Sequence, residues 1–93
     1  MRTIKQATAF KRDYRTIKST PRYRDIGTLL TSILELLATD QPLPVANRDH
    51  SLSGDWSGYR ECHVRPDMLL IYGKTGADLL RLVRLGSHSD LFG

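Results

Sequence analysis

The sequence predicts an α+β domain in the order β-α-α-β-β-β, with two N-terminal helices packed on one face of a small, mostly antiparallel sheet. Three observations predict it. Between Phe10 and Leu37 the apolar residues recur at helical spacing. From Gly58 onward they alternate or run together, as strands do. The later strands are separated only by short links rich in Pro, Gly and Asp, which suit hairpins.

Each element has its own warrant. RTIKQ (2–6) is short, with Thr and Ile, and suits a first strand. Residues 8–18 suit a helix, because Phe10, Tyr14 and Ile17 fall at i, i+4 and i+7. Lys11, Arg15 and Lys18 take a different face at the same spacing. A second helix is expected from Thr20, a good N-cap, with Pro21 at its first position. Ile26, Leu29, Leu30, Ile33, Leu36 and Leu37 would form its buried face. TDQPLPVANRDH (39–50) ends the helix in a loop. In GYRECHV (58–64), alternation points Cys62 and Val64 to the core and His63 to an opposite, polar face. Arg65-Pro66-Asp67-Met68 fits a type I turn. MLLIY (68–72) is apolar on both sides and therefore central. GKTGAD (73–78) is a hairpin loop, LLRLVRL (79–85) its partner strand, and GSHSDLFG closes the chain.

Ninety-three residues make one small domain, 1–93. With 40% apolar and 26% charged residues, the composition is that of a folded globular protein. The longest apolar run, Met68 to Tyr72, is far short of the ~20 residues of a membrane span. MRTIKQATAFKRD lacks the apolar stretch of a secretory signal, so a cytoplasmic location is expected. Cys62 is the sole cysteine, which excludes an internal disulfide and a cysteine-rich zinc site. No short ligand motif such as H-x-x-x-H is present, and neither metal nor cofactor is expected. Charge is uneven. Residues 1–30 hold eight Lys and Arg against two Asp, whereas residues 31–93 hold six basic and eight acidic groups. The basic N-terminal part favours a polyanion or an acidic protein as partner.

The second half carries a dense set of positions: Asp49-His50, Leu52, Gly54, Trp56, Gly58-Tyr59-Arg60, His63, Pro66-Asp67, Ile71-Tyr72, Arg84, Gly86-x-His88 and Leu91-Phe92. With these, the sequence resembles the YafQ-type toxins of the RelE/ParE superfamily over nearly its whole length. The resemblance implies a RelE-like fold and a ribosome-dependent endoribonuclease that cuts mRNA in the decoding site. It implies a cognate antitoxin, of a ribbon-helix-helix, DinJ-like kind. It places the active-site histidines on His50, His63 and His88, the acidic residue on Asp67, the arginine on Arg84 and a C-terminal aromatic on Phe92. Many relatives carry Trp directly after the Pro-Asp pair, where this chain has Met68.

Metal-free RNA cleavage needs a base for the ribose 2′-OH, an acid for the departing 5′-oxygen and a cation for the crowded phosphorane. Histidine titrates near neutrality and serves either proton role. Arginine matches phosphate oxygens with a fork of donors. Arg60 is expected to face phosphate or to serve the structure, since its proton does not leave. Lys11, Arg15 and Lys18 are expected to contact RNA. Taken singly, each residue has an ordinary reading: His63 as a solvated surface histidine, Asp67 as a turn former, the basic stripe as a solvated face. Two rival functions stand beside the nuclease: a non-enzymatic, ParE-like gyrase inhibitor and a plain RNA-binding module. Cleavage of mRNA on translating ribosomes separates all three.

Overall fold

The computed structural model describes all 93 residues. Strand β1 (Thr3–Gln6) leads into helix α1 (Thr8–Lys18), the span its periodicity predicts. Phe10 is fully buried, while Tyr14 and Ile17 pack partly exposed against the same core. The second helix starts later than expected. Pro21–Tyr23 form a separate 3-10 turn, and α2 runs Ile26–Ala38. The Thr20 hydroxyl donates to the Thr16 carbonyl, so it closes α1 instead of capping α2. The cause is tertiary: Arg22 and Tyr23 each reach Asp67 at 2.6 Å, and this tie overrides the local helix signal. Helix α2 buries Ile26, Leu30, Ile33 and Leu37, whereas Leu29 and Leu36 are only partly covered.

Five strands follow the order β1-β5-β4-β3-β2. They are β2 (His50–Ser51), β3 (Arg60–Arg65), β4 (Met68–Thr75) and β5 (Leu79–Gly86), besides β1. All neighbours are antiparallel except β1, which runs parallel to β5, so the sheet is mixed. Two elements were not foreseen: the short β2 within the long loop, and a terminal helix, α3 (His88–Phe92). Ser87 caps α3, taking the Asp90 N–H on its hydroxyl while Asp90 takes the Ser87 N–H.

The β3–β4 hairpin turns on two residues, Pro66 and Asp67, between the paired Arg65 and Met68. Neither has a positive φ. Two-residue hairpin turns usually need positive φ at one or both positions, which proline cannot supply. The ladder absorbs the mismatch with a shift of register between His63 and Arg65.

The helices cover one face of the sheet over Cys62, Val64, Met68, Leu70, Tyr72, Leu80 and Leu82. Cys62 and Val64 point inward as alternation requires. Burial pushes the Cys62 thiol up to about 12, which leaves it unreactive. The opposite face is not simply polar. Leu69, Ile71 and Leu91 form a second small core with Leu52, Trp56, Tyr59 and Val83 around them. The Tyr59 ring lies on Gly73, where a β-carbon would stand 3.0 Å from it. Trp56 meets Tyr59 edge to face. These aromatics roof the sheet, and α3 closes the roof at its other end.

Candidate active site

The sheet register decides which polar side chains can meet. His50 of β2 pairs with Glu61 of β3, and His63 lies two residues further on the same face. The result is a cluster around one carboxylate. Oε1 of Glu61 stands 3.6 Å from Nε2 of His50 and 4.0 Å from Nε2 of His63. These distances exceed direct hydrogen bonds, so neither ring is committed to Glu61. The Glu61 side chain is only 7% exposed, and the Nε2 atoms of the two imidazoles are its only basic neighbours within 4.0 Å, able to pair with it when they carry a proton. A buried carboxylate without such partners would be costly.

Both rings are oriented from behind in the same way. Nδ1 of His50 faces the Arg48 carbonyl at 2.7 Å, and Nδ1 of His63 faces the Pro66 carbonyl at 3.3 Å. A carbonyl only accepts, so each Nδ1 is the donor and Nε2 becomes the position that exchanges a proton. The long loop is pinned so that this holds. The Asn47 side chain donates to the His63 carbonyl at 2.7 Å. Asp49 accepts from the buried Tyr72 hydroxyl and from Arg60 Nε. An open cavity of about 260 Å³, lined by Ala46, Arg48, His63 and Pro66, lies alongside.

His88 and Phe92 stand across the same face. His63 pairs with Leu69, and Leu69 with Gly86. Two strand spacings, roughly 10 Å, therefore separate the β3 backbone from the end of β5. Helix α3 starts two residues on and lays Leu91 against Leu69 and Ile71. The exposed His88 ring rests on Phe92 with centroids 5.0 Å apart. The face thus has the His50–Glu61–His63 group on one side and the His88–Phe92 pair on the other, over an apolar floor.

The remaining candidates are placed differently. Asp67 sits at the hairpin tip, held by Tyr23 and Arg22. The Tyr23 hydrogen bond, with Arg22 and Arg65 nearby, lowers its pKa, so it stays an anion at neutral pH. Arg84 gives Nε and Nη2 to Asp13 of α1 at 2.7 and 3.2 Å, and the same carboxylate takes the Leu85 N–H. This pairing fastens α1 to the stretch of β5 that β1 leaves uncovered. Arg60 is spent in part on Asp49. Lys11, Arg15 and Lys18 are exposed on α1, on the helix side of the sheet and away from the histidines. Met68 is 3% exposed within the helix-side core, so this position offers no stacking surface in this chain.

Glu61 was missed as a site residue. Its signal lay in the alternation of GYRECHV, where Glu61 and His63 share a face. No group of three His, Cys, Asp or Glu side chains is placed to hold a metal ion.

Comparison with known proteins bears on this geometry. The family model of YafQ, described as a bacterial toxin of a type II toxin-antitoxin system, matches residues 2–93. The mRNA interferase toxin YafQ of Escherichia coli K12 is 38% identical over 92 residues, covering 99% of this chain and 97% of that one. Among solved structures, a copper-bound mutant toxin from Helicobacter pylori superposes with a TM-score of 0.91 at 35% identity, covering 99% of this chain and 100% of that one. YafQ in the E. coli DinJ–YafQ complex gives a TM-score of 0.86 at 38% identity, with both chains fully covered.

Proposed function

Because the chain belongs to the YafQ family of bacterial toxins of type II toxin-antitoxin systems, we propose that it is an mRNA interferase, a ribosome-dependent endoribonuclease working by metal-independent acid and base catalysis. The observation that carries this reading is the shared Glu61 oxygen between the Nε2 atoms of His50 and His63, on the sheet face whose apolar floor is completed by Leu91 of α3, the helix that bears His88. Such a face holds proton donors and acceptors on two sides of a bound strand.

In the reaction, one imidazole Nε2 takes the ribose 2′-OH proton as the 2′-oxygen bonds to phosphorus. The bond from phosphorus to the 5′-oxygen breaks, and a second imidazole returns a proton to that oxygen. The products are a 2′,3′-cyclic phosphate and a 5′-hydroxyl. Glu61 steadies whichever of His50 and His63 becomes imidazolium, and His88 serves from the other side. Each placed acid or base is worth on the order of 10²–10⁴ in rate. Phe92, beneath His88, offers a base a stacking surface. Asp67 is a fixed anion that holds the hairpin tip, and with it the carbonyl that orients His63. Arg84 keeps Nη1 for the phosphate while Asp13 holds its other donors. The basic face of α1 contacts ribosomal RNA. A DinJ-like antitoxin is the protein partner, as in the E. coli complex. The site of action is the cytoplasm, and no helix is long and apolar enough to cross a membrane.

The test is purified protein added to translating ribosomes, with the 5′ ends of the mRNA mapped and the termini analysed. Cuts bearing cyclic phosphate and 5′-hydroxyl ends are expected. Intact mRNA with inhibited gyrase, or RNA binding without cuts, would replace this reading with one of its rivals.

A further inference from the structure

We propose that Arg48 is a second guanidinium on the scissile phosphodiester, beside His63, adding a full fork of donors to the single group Arg84 keeps, an assignment that rests on the ribonuclease reading of this site. Arg48 lines the open cavity with His63, Ala46 and Pro66. The other arginines near the histidines each give part of their fork to a carboxylate, and Arg81, which has no side-chain partner, lies further along β5, opposite Gly73. Arg84 has Nε and Nη2 on Asp13, Arg60 has Nε on Asp49, Arg65 has Nη1 on Asp25, and Arg22 has Nη2 on Asp67. Arg48 makes no side-chain hydrogen bond and no ion pair within the chain. It therefore has its full fork of donors to offer, the geometry that phosphate oxygens match.

Its backbone supports the same assignment. Arg48 has φ 48° and ψ 46°, the left-handed conformation that Gly or Asn adopts most easily. If only the turn mattered, either of those would serve better than arginine. Residues held this way cluster at functional sites. Here the conformation does two things at once. The Arg48 carbonyl receives the His50 Nδ1–H, and the residue borders the cavity beside His63. Asn47, one residue earlier, is fastened to the His63 carbonyl. The cation is thus tied through its own backbone to both histidines, and a phosphate bound to it meets Nε2 groups already aimed.

The test is Arg48→Asn, which keeps the carbonyl and tolerates the left-handed turn, with Arg48→Gly as a second variant should the first fold poorly. Inorganic phosphate is titrated into the wild type while the ring resonances of His63 are followed by NMR. Both variants should weaken that response about tenfold or more, and cleavage on translating ribosomes should fall by about tenfold or more under single-turnover conditions. Arg48→Lys should recover only part of the loss. If the chain cuts no mRNA at all, the ribonuclease reading fails and the phosphate titration alone decides. An unchanged phosphate response in the natively folded variants, or undiminished cleavage by them, overturns the assignment.

Discussion

Tyr72→Phe isolates one hydroxyl. Tyr72 is 1% exposed in the middle of β4, and its ring packs in the helix-side core. A phenylalanine fills that space, so the packing survives and only the bond to Asp49 disappears. A hydrogen bond to a charged group contributes about 1.5–3 kcal/mol. Asp49 keeps Arg60 and a 27% exposed side chain, so water can replace part of the loss and the lower end applies, about 1–2 kcal/mol. Each kcal/mol should lower Tm by roughly 4–8 °C in a domain of this size. The functional effect runs through the neighbouring residue. Asp49 anchors the loop that sets His50 3.6 Å from Glu61, and a looser anchor should reduce single-turnover cleavage roughly tenfold. In a His50→Ala background the same substitution should cost almost nothing further, because there is no ring left to misplace. Alkaline pH gives an independent check. Burial, with the Asp49 bond next, raises the Tyr72 pKa above its ordinary value of 10.0. The stability held by the neutral phenol is therefore complete below pH 10 and is lost as pH rises toward the folded-state value. The advantage of wild type over Tyr72→Phe in urea midpoint should shrink above pH 10. An unchanged Tm, or an equal loss of cleavage with and without His50, would refute the reasoning.

Three further outcomes are expected. His88→Ala should keep its fold and its affinity for ribosomes but lose at least about tenfold in cleavage, since His88 is exposed and its ring rests on Phe92; undiminished cleavage would remove His88 from the proton path. Replacing Lys11, Arg15 and Lys18 by Gln should flatten the salt dependence of ribosome binding by roughly 0.7–0.9 for each phosphate no longer neutralised, with cleavage recovering at saturating ribosome; an unchanged slope would make the stripe a solvated face. Hydrogen bonds from Lys74 and Arg2 hold the Asp40 carboxyl at about 2, below its ordinary 3.8, so its contribution is present above pH 3.8 and lost as pH falls through 2. Asp40→Asn, which tolerates the positive φ there, should show a shallower acid decline in urea midpoint than wild type, and parallel declines would count against the pairing.

Much of the fold was legible because its signals are local. The stripe of Phe10, Tyr14 and Ile17 marks α1, and the alternation around Cys62 marks β3. The start of α2 was not legible, because Thr20-Pro21 is a sound helix start until Arg22 and Tyr23 meet Asp67, 44 and more residues away. The second core was hidden for the same reason: Leu91 and Trp56 look like tail and loop residues until they meet on the sheet. At the site, His50, His63 and His88 could be named from the sequence, but their arrangement depends on strand pairing. Glu61 escapes the sequence because a charged residue in a strand reads as solvent-facing, whereas pairing sets it between His50 of the two-residue β2 and Ile71 of β4. Arg84 shows the reverse. Its residue type suited a phosphate contact, yet Asp13, 71 residues earlier, holds most of its fork.

The first strand waits for the last. Thr3 pairs with Leu79 and Gln6 with Leu82, and the roof over the opposite face is completed by Leu91 of α3. During synthesis, at about 5–20 residues per second, β1 and α1 emerge long before the strand that seats them, and His88 and Phe92 of α3 come later still. A nascent chain therefore has no assembled site. Until β5 and α3 have been made, β1 has no strand to pair with and the roof over the histidine face lacks Leu91, so the site is assembled only after most of the chain has been synthesised.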